Sequence, residues 1–250
     1  MRRSRILDRI RERGAVTIAD LAREHGISTM TAHRDLEALA GEGLVERIRG
    51  GAKAVALAPH PTAWEQRIGQ SQEAKAAIAG YAATLVTEGA TVFLDASSSA
   101  YALARAVMAA PPYELTLVTN SPSVAAEMRA DAVHVVVCPG ELDQQTRAIT
   151  GRWTTEFIGG LSFDTAFVSA AGITPEAGLT TSRAPLSDVV NAARRAARRT
   201  VGLVDSAKVG RVSLVSIAGV DELELIVTDA GIEPEAAAAL VRAGARLHVV

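Results

Sequence analysis

The chain has 250 residues, a formal net charge of −2 and 48% hydrophobic residues, the composition of a soluble globular protein, which argues against one basic over its whole surface. A single cysteine, Cys138, excludes an intrachain disulfide, and no apolar run approaches the roughly 20 residues that span a bilayer. The charge is uneven: residues 1–60 hold 11 Lys and Arg against 8 Asp and Glu, a net of +3, and residues 61–250 hold 15 against 20, a net of −5. The opening Met-Arg-Arg-Ser-Arg leads into no secretory-type apolar stretch, so the expectation is a cytoplasmic protein with no membrane partner.

In chain order, Ile6, Leu7 and Ile10 form an apolar stripe at helical spacing, ended by Gly14. Thr17, with Asp20 three residues on, predicts the capped start of a second helix running to about His25 before Gly26. Ser28 predicts the cap of a third, with Ala32, Leu36 and Leu39 on one face and Thr29, Thr31, His33, Arg34 and Glu37 on the others. After Gly43, Leu44–Ile48 and Lys53–Leu57 read as short strands around the Gly50-Gly51 turn. Taken singly, each of these charges is ordinary solvated surface. The sequence of short helix, glycine turn, capped helix and basic hairpin is more specific: it suits a helix in the major groove and a wing on the neighbouring phosphates. No aromatic residue occurs before position 60, which argues against stacking on single strands and for duplex DNA as the partner. Ser28, Thr29, Thr31, His33 and Arg34 are then candidate contacts to bases or adjoining phosphates, and Arg47, Arg49 and Lys53 to the backbone.

This head resembles the DeoR-type winged helix in Leu21-Ala22, in Ile27-Ser28-Thr29-Met30-Thr31-Ala32-His33-Arg34-Asp35-Leu36, in Leu39 and Gly43, and in Arg47-Ile48-Arg49-Gly50-Gly51-Ala52. It departs from that pattern at Ala32, where isoleucine is usual, and at His33, which stands for the first of two arginines.

Ala58-Pro59-His60-Pro61 reads as a stiff break, which divides the chain into a winged helix-turn-helix domain (1–57), a linker (58–71) and an α/β effector-binding and oligomerisation domain (72–250). In the third part, apolar strands are expected at Thr91–Ala96, Leu115–Thr119, Val133–Cys138, Thr165–Ser169, Val201–Asp205 and Leu225–Thr228. Helices are expected between them at Gln72–Glu88, Ala100–Ala110, Ser123–Arg129, Thr154–Leu161, Ser187–Arg199 and Glu233–Ala243. Such alternation predicts a mostly parallel sheet covered on both faces, with ligands beyond the carboxyl ends of its strands. The polar residues there are Asp95 with Ser97, Ser98 and Ser99, then Thr119 and Asn120, then Asp205 and Lys208. Hydroxyls and amides at a helix start suit a phosphate, Lys208 a compensating charge, and Asp or Asn side chains sugar hydroxyls. Any one of these loops is equally an ordinary helix cap or surface ion pair; three at one sheet edge favour a site. His134 and His248, inside apolar runs, read as structural, as does Cys138. No zinc-type cluster and no Gly-x-Gly-x-x-Gly fingerprint is present, so neither metal nor cofactor is expected.

The body also resembles the DeoR sensor domain, itself similar to the ribose-5-phosphate isomerase and glucosamine-6-phosphate deaminase folds. The matching landmarks are Lys75-Ala76-Ala77-Ile78-Ala79, Phe93-Leu94-Asp95, Leu117-Val118-Thr119-Asn120-Ser121, Asp164-Thr165-Ala166-Phe167, Gly172-Ile173, Gly178-Leu179-Thr180-Thr181 and Asp205-Ser206-Ala207-Lys208-Val209-Gly210. The resemblance adds Gly172 to the candidate effector residues and implies a Rossmann-like α/β sensor domain behind the winged helix. It further implies a homo-oligomeric regulator, a repressor of a carbohydrate-metabolism operon released by a phosphorylated sugar or similar metabolite. Departures lie at Ser97-Ser98-Ser99, Pro139-Gly140 and Ser187–Asn191, the last without the family's acidic and basic pair. The rival expectation is a sugar-phosphate isomerase or deaminase with an accessory head, using Asp95 or Asp205 as its base.

Overall fold

In the computed structural model, which describes residues 2–41, 45–54, 64–112 and 114–250, the chain divides into two units, 1–57 and 58–250. The first begins with α1 (Arg2–Arg13), ended by Gly14 at φ +77°. β1 (Ala15–Thr17) leads into α2 (Ile18–His25), where Thr17 Oγ1 accepts from the Asp20 amide at 3.1 Å and Gly26 closes the helix in the left-handed conformation. α3 (Thr29–Gly41) starts after Ser28, whose Oγ accepts from the Thr31 amide at 3.1 Å. β2 (Val45–Ile48) and β3 (Gly51–Ala54) form the hairpin, with β1 on the far side of β3. Leu44 and residues 55–57, expected in these strands, lie outside the described residues, as do Gly43 and 58–63.

Ile6, Ile10, Leu21, Ala32, Leu36, Leu39 and Val45 make the core of this unit, each large one contributing about 1.5–3 kcal/mol by burial. Asp35 also lies on that inward face, only 2% exposed. It accepts from Arg2 Nε at 2.7 Å and Arg3 Nε at 3.1 Å, which fastens α3 to α1. The Arg2 hydrogen bond holds its carboxyl below the usual aspartate value.

The second unit opens with α4 (Trp64–Gly69), a correction to the expected linker: Trp64 is buried, with its ring edge-on to Tyr101 at 5.6 Å. There follow α5 (Gln72–Ala83), β4 (Ala90–Leu94), α6 (Ser98–Ala109), β5 (Leu115–Thr119), α7 (Pro122–Glu127) and β6 (Val133–Val137). Next come the hairpin β7 (Glu141–Asp143) and β8 (Ala148–Thr150), α8 (Arg152–Gly159), β9 (Phe163–Val168), β10 (Gly172–Thr174) and β11 (Gly178–Thr181). α9 (Ala184–Ala196), β12 (Ala197–Leu203), β13 (Val215–Ala218), β14 (Leu225–Thr228), α10 (Pro234–Arg242) and β15 (Leu247–Val249) complete it.

The main sheet is parallel throughout, in the order β15-β14-β12-β9-β4-β5-β6. Alternating side chains separate its two faces. Val92, Leu94, Leu117, Phe167 and Leu203 pack under α5, α6 and α7, while Phe93, Val118, Ala166 and Val168 pack under α8, α9 and α10. Strand order reverses between β4 and β9, the switch point where such sheets open a crevice. A small antiparallel sheet, β10-β11-β13, stands apart from the main one.

Several expected boundaries move. The helix predicted to Arg199 ends at Ala196, because Arg199 joins β12. There its Nε donates to Thr165 Oγ1 at 2.6 Å and its Nη2 to the Leu85 carbonyl at 3.0 Å. The helix predicted to Glu88 ends at Ala83, where Thr84 Oγ1 donates to the Tyr81 carbonyl at 2.7 Å. His134 is exposed on the edge strand β6, not structural as expected, whereas His248 stacks on Tyr81 with ring centres 3.7 Å apart. Cys138 is buried, and burial pushes its thiol up to about 12.

Candidate functional site

On the head, Thr29, Arg34 and Arg49 are exposed, and neither Arg34 nor Arg49 has a partner among the described residues. Ser28 Oγ is engaged by its own helix, with Thr31 Oγ1 2.8 Å away. His33 and Arg47 lie together: Arg47 Nη2 is 3.1 Å from His33 Nε2, and His33 Nδ1 is 3.2 Å from Glu37 Oε1. Arg47 thus reaches back from the wing to α3, with its Nη1 buried and unpartnered. Lys53 pairs with Glu46 at 3.0 Å. The surface therefore offers two kinds of cation, free ones at Arg34 and Arg49 and tied ones at Arg47 and Lys53. Free cations of this kind suit contacts to a phosphate backbone. Asp35 was not singled out from the sequence, although an acidic residue between Ala32 and Leu39 on the apolar face signals a buried pair.

At the switch point of the body lies a cavity of about 520 Å³, within the range of small-molecule sites. The loops after β4, β5, β9 and β12 deliver Asp95, Ser97, Ser98, Asn120, Ser169, Asp205 and Lys208 to it. Leu186 and Val190 of α9 and Ile217 of β13 supply an apolar wall.

Asp95 is buried and serves as a hinge pin between loops. Its Oδ1 accepts from the Ser97 amide at 3.1 Å and its Oδ2 from the Ser169 amide at 2.8 Å. Burial raises its carboxyl above the ordinary value, against the pull of those hydrogen bonds and of Lys208. Ser97 Oγ caps α6 through the Ala100 amide at 3.0 Å, which leaves the Ser98 and Ser99 amides of the first turn without a described partner. Lys208 Nζ lies 3.2 Å from Asp205 Oδ2 and donates to Ser169 Oγ at 3.1 Å. Its short 3₁₀ loop is held by Asp229, which accepts from the Ser206 amide and hydroxyl, each at 2.7 Å. Asn120 Nδ2 donates to the Ile149 carbonyl at 2.9 Å, and its buried Oδ1 has no partner.

Three of the expected effector residues stand behind the wall. Thr119 Oγ1 donates to the Leu94 carbonyl at 2.7 Å, and Ser99 is buried. Gly172 gives the Arg211 backbone room: a Cβ there would sit 2.3 Å from the Arg211 carbonyl oxygen. Ser187 and Asn191 are likewise committed, to the Ser216 carbonyl and to each other.

Arg67, Gln70, Ser71 and Lys75, from α4, α5 and the turn between them, also line the cavity and were not singled out as site residues. Lys75 is buried, with Nζ donating to the Arg67 carbonyl at 2.7 Å and to the Gln70 carbonyl. Burial, then nearby Lys208, lowers its pKa to about 8. The Lys75-Ala76-Ala77-Ile78-Ala79 landmark was the available signal. With Arg211, four cationic side chains face two carboxylates, and the open amides of α6 add donors. The cavity therefore combines donors suited to an anion with acceptors suited to hydroxyls.

Among the described residues no group of His, Cys, Asp and Glu is arranged to hold a metal ion, and no helix is long and apolar enough to cross a membrane.

Residues 2–56 match the model of the DeoR-like helix-turn-helix domain, and residues 70–230 match that of the DeoR C terminal sensor domain. The chain is similar to a Haloferax volcanii protein named HTH-type transcriptional regulator GlpR, 31% identical and covering 97% of this chain and 94% of the relative. It is similar to the Listeria innocua HTH-type transcriptional regulator GolR, 30% identical, covering 91% of this chain and 89% of the relative. The Escherichia coli glycerol-3-phosphate regulon repressor is 27% identical, with 92% of this chain and 90% of that protein covered.

Proposed function

The chain belongs to the DeoR family of transcriptional regulators, and we propose that it represses a carbohydrate-metabolism operon until a phosphorylated sugar or similar metabolite fills the switch-point cavity. The observation that carries this reading is the cavity itself, which brings Lys208, Lys75, Arg67 and the open amides of α6 together with Asp205 and Asn120. A phosphate meets the donors and sugar hydroxyls meet the acceptors. The relative named for a glycerol-3-phosphate regulon supports the same ligand class. The isomerase or deaminase alternative is not favoured. The relatives that span the chain are named regulators, and both Asp95 oxygens are occupied by amides.

On the head, Thr29, Thr31, His33 and Arg34 read bases or adjoining phosphates, and Arg49 holds the backbone. The Arg47–His33 pair sets the angle between wing and helix and presents its outer edge to the duplex. A dimer, or an assembly of dimers, places two recognition helices on successive major-groove faces of a partly palindromic operator.

Gel shifts on the promoter fragment upstream of the regulated genes test the head. Arg34→Ala is expected to weaken binding by about 1–3 kcal/mol, and unchanged affinity removes Arg34 from the interface. For the body, phosphorylated sugars are screened for thermal stabilisation and then for release of DNA. A hit that stabilises Lys208→Ala as strongly as the wild type overturns the cavity assignment.

A further inference from the structure

Resting on that reading of the cavity, the segment between head and sensor carries an observation of its own. Arg67 lies on α4, the first described element of the second unit and so the one that follows the head in sequence. Its guanidinium is largely buried, yet it forms no ion pair with a described residue. Nη2 reaches the Thr146 carbonyl only at 3.3 Å, and Nε is buried without a partner. A second cavity-lining atom, Asn120 Oδ1, is also buried and unpartnered, and Asn120 as a whole is 1% exposed. Leaving a buried donor and a buried acceptor unmade is costly, and both residues line the cavity.

Arg67 is also the grip on α4. Its guanidinium carbon stands 5.7 Å from the centre of the Trp64 ring, one turn earlier, and Trp64 in turn meets Tyr101 of α6. The other end of α4 hangs on Lys75, which lines the same cavity and holds the Arg67 and Gln70 carbonyls. Two of the residues that hold this short helix, Arg67 and Lys75, therefore line the cavity.

We propose that Arg67 is a direct contact for the ligand's anionic group, and that its movement across the Trp64 ring passes cavity occupancy to α4, the described body element nearest the head in sequence. The site then extends beyond the matched sensor segment, residues 70–230, into the stretch that joins it to the head.

The test uses the full chain with Trp153→Phe, which leaves Trp64 as the single tryptophan of two, and inorganic phosphate as the probe. Phosphate is expected to shift Trp64 emission saturably and to raise the melting temperature. Arg67→Met is expected to abolish the emission shift and weaken phosphate binding about tenfold, a change of ~1.4 kcal/mol. Arg67→Lys keeps the charge and retains most of the binding, which separates a lost contact from a misfolded variant. If phosphate stabilises the protein through Lys208 while Arg67→Met binds as the wild type and Trp64 emission stays still, the inference is overturned and the cavity reading survives. If phosphate neither stabilises the wild type nor moves Trp64, both fall together.

Discussion

Lys75 shows how one buried side chain ties the cavity to solution conditions. The residue is 5% exposed, and its burial, then the charge of Lys208, lowers its pKa from 10.5 to about 8 in the unliganded protein. Between those values the unfolded chain holds more protons than the folded one, so unliganded stability rises with pH across that window. Ligand affinity runs the other way. An anion in the cavity favours the charged form, so below about 8 Lys75 is already protonated and affinity is level. Above it, binding must take up a proton, and affinity drops by up to about tenfold per pH unit. Calorimetric titration of a stabilising sugar phosphate across this range is expected to show that break, and Lys75→Arg, charged throughout, is expected to remove it. A wild-type profile flat through pH 9 places Lys75 outside the binding equilibrium.

At the scale of the elements, the loop bearing Lys208 depends on a strand that never touches the cavity. β10 runs beneath it, bridging Ile173 to Val209 and accepting the Gly210 amide at the Ile173 carbonyl, 2.9 Å away. The approach is close enough that a Cβ on Gly172 meets backbone, not a movable side chain. Gly172→Ala is therefore expected to cost about 1–3 kcal/mol in stability and to weaken sugar-phosphate binding by shifting Lys208 and Arg211. Operator affinity without ligand should hold. Melting curves, ligand titration and gel shifts on the same variant separate these effects, and normal ligand affinity contradicts the packing role. The sequence motif points to Gly172 as a contact; only the register of the loop above it shows a spacer. The same division runs through the molecule. Apolar stripes, caps and runs of β-branched residues make α1–α3 and six of the seven parallel strands legible, all but β15, and with them the edge loops of Asp95, Asn120, Asp205 and Lys208. Helix α4, with six residues, is too short to display a period, and strands of three or four residues such as β7, β8 and β10 are equally silent. Ser169 reaches the cavity because strand order reverses between β4 and β9, a fact of topology that no local spacing encodes, and Arg67 reaches it from α4. The Arg47–His33 contact likewise depends on how the wing folds over α3.

For the whole molecule, a basic head and an acidic body linked in one chain make a two-ligand system, and thermodynamic linkage constrains it without further structural detail. If the effector lowers operator affinity by a given factor, operator DNA must lower effector affinity by the same factor, because both paths join the same end states. Couplings of this kind amount to about 1–3 kcal/mol, or roughly 5–150-fold. Effector titrations with and without a saturating operator duplex, set beside operator titrations with and without saturating effector, are expected to give matching ratios at one salt concentration. Salt must be held fixed, because release of counterions from the duplex makes operator affinity fall steeply as salt rises. Whatever change Arg67→Met or Lys208→Ala makes in one ratio must appear equally in the other. A variant that lost effector binding yet kept the full operator response would place the sensing site somewhere other than the cavity between β4 and β9.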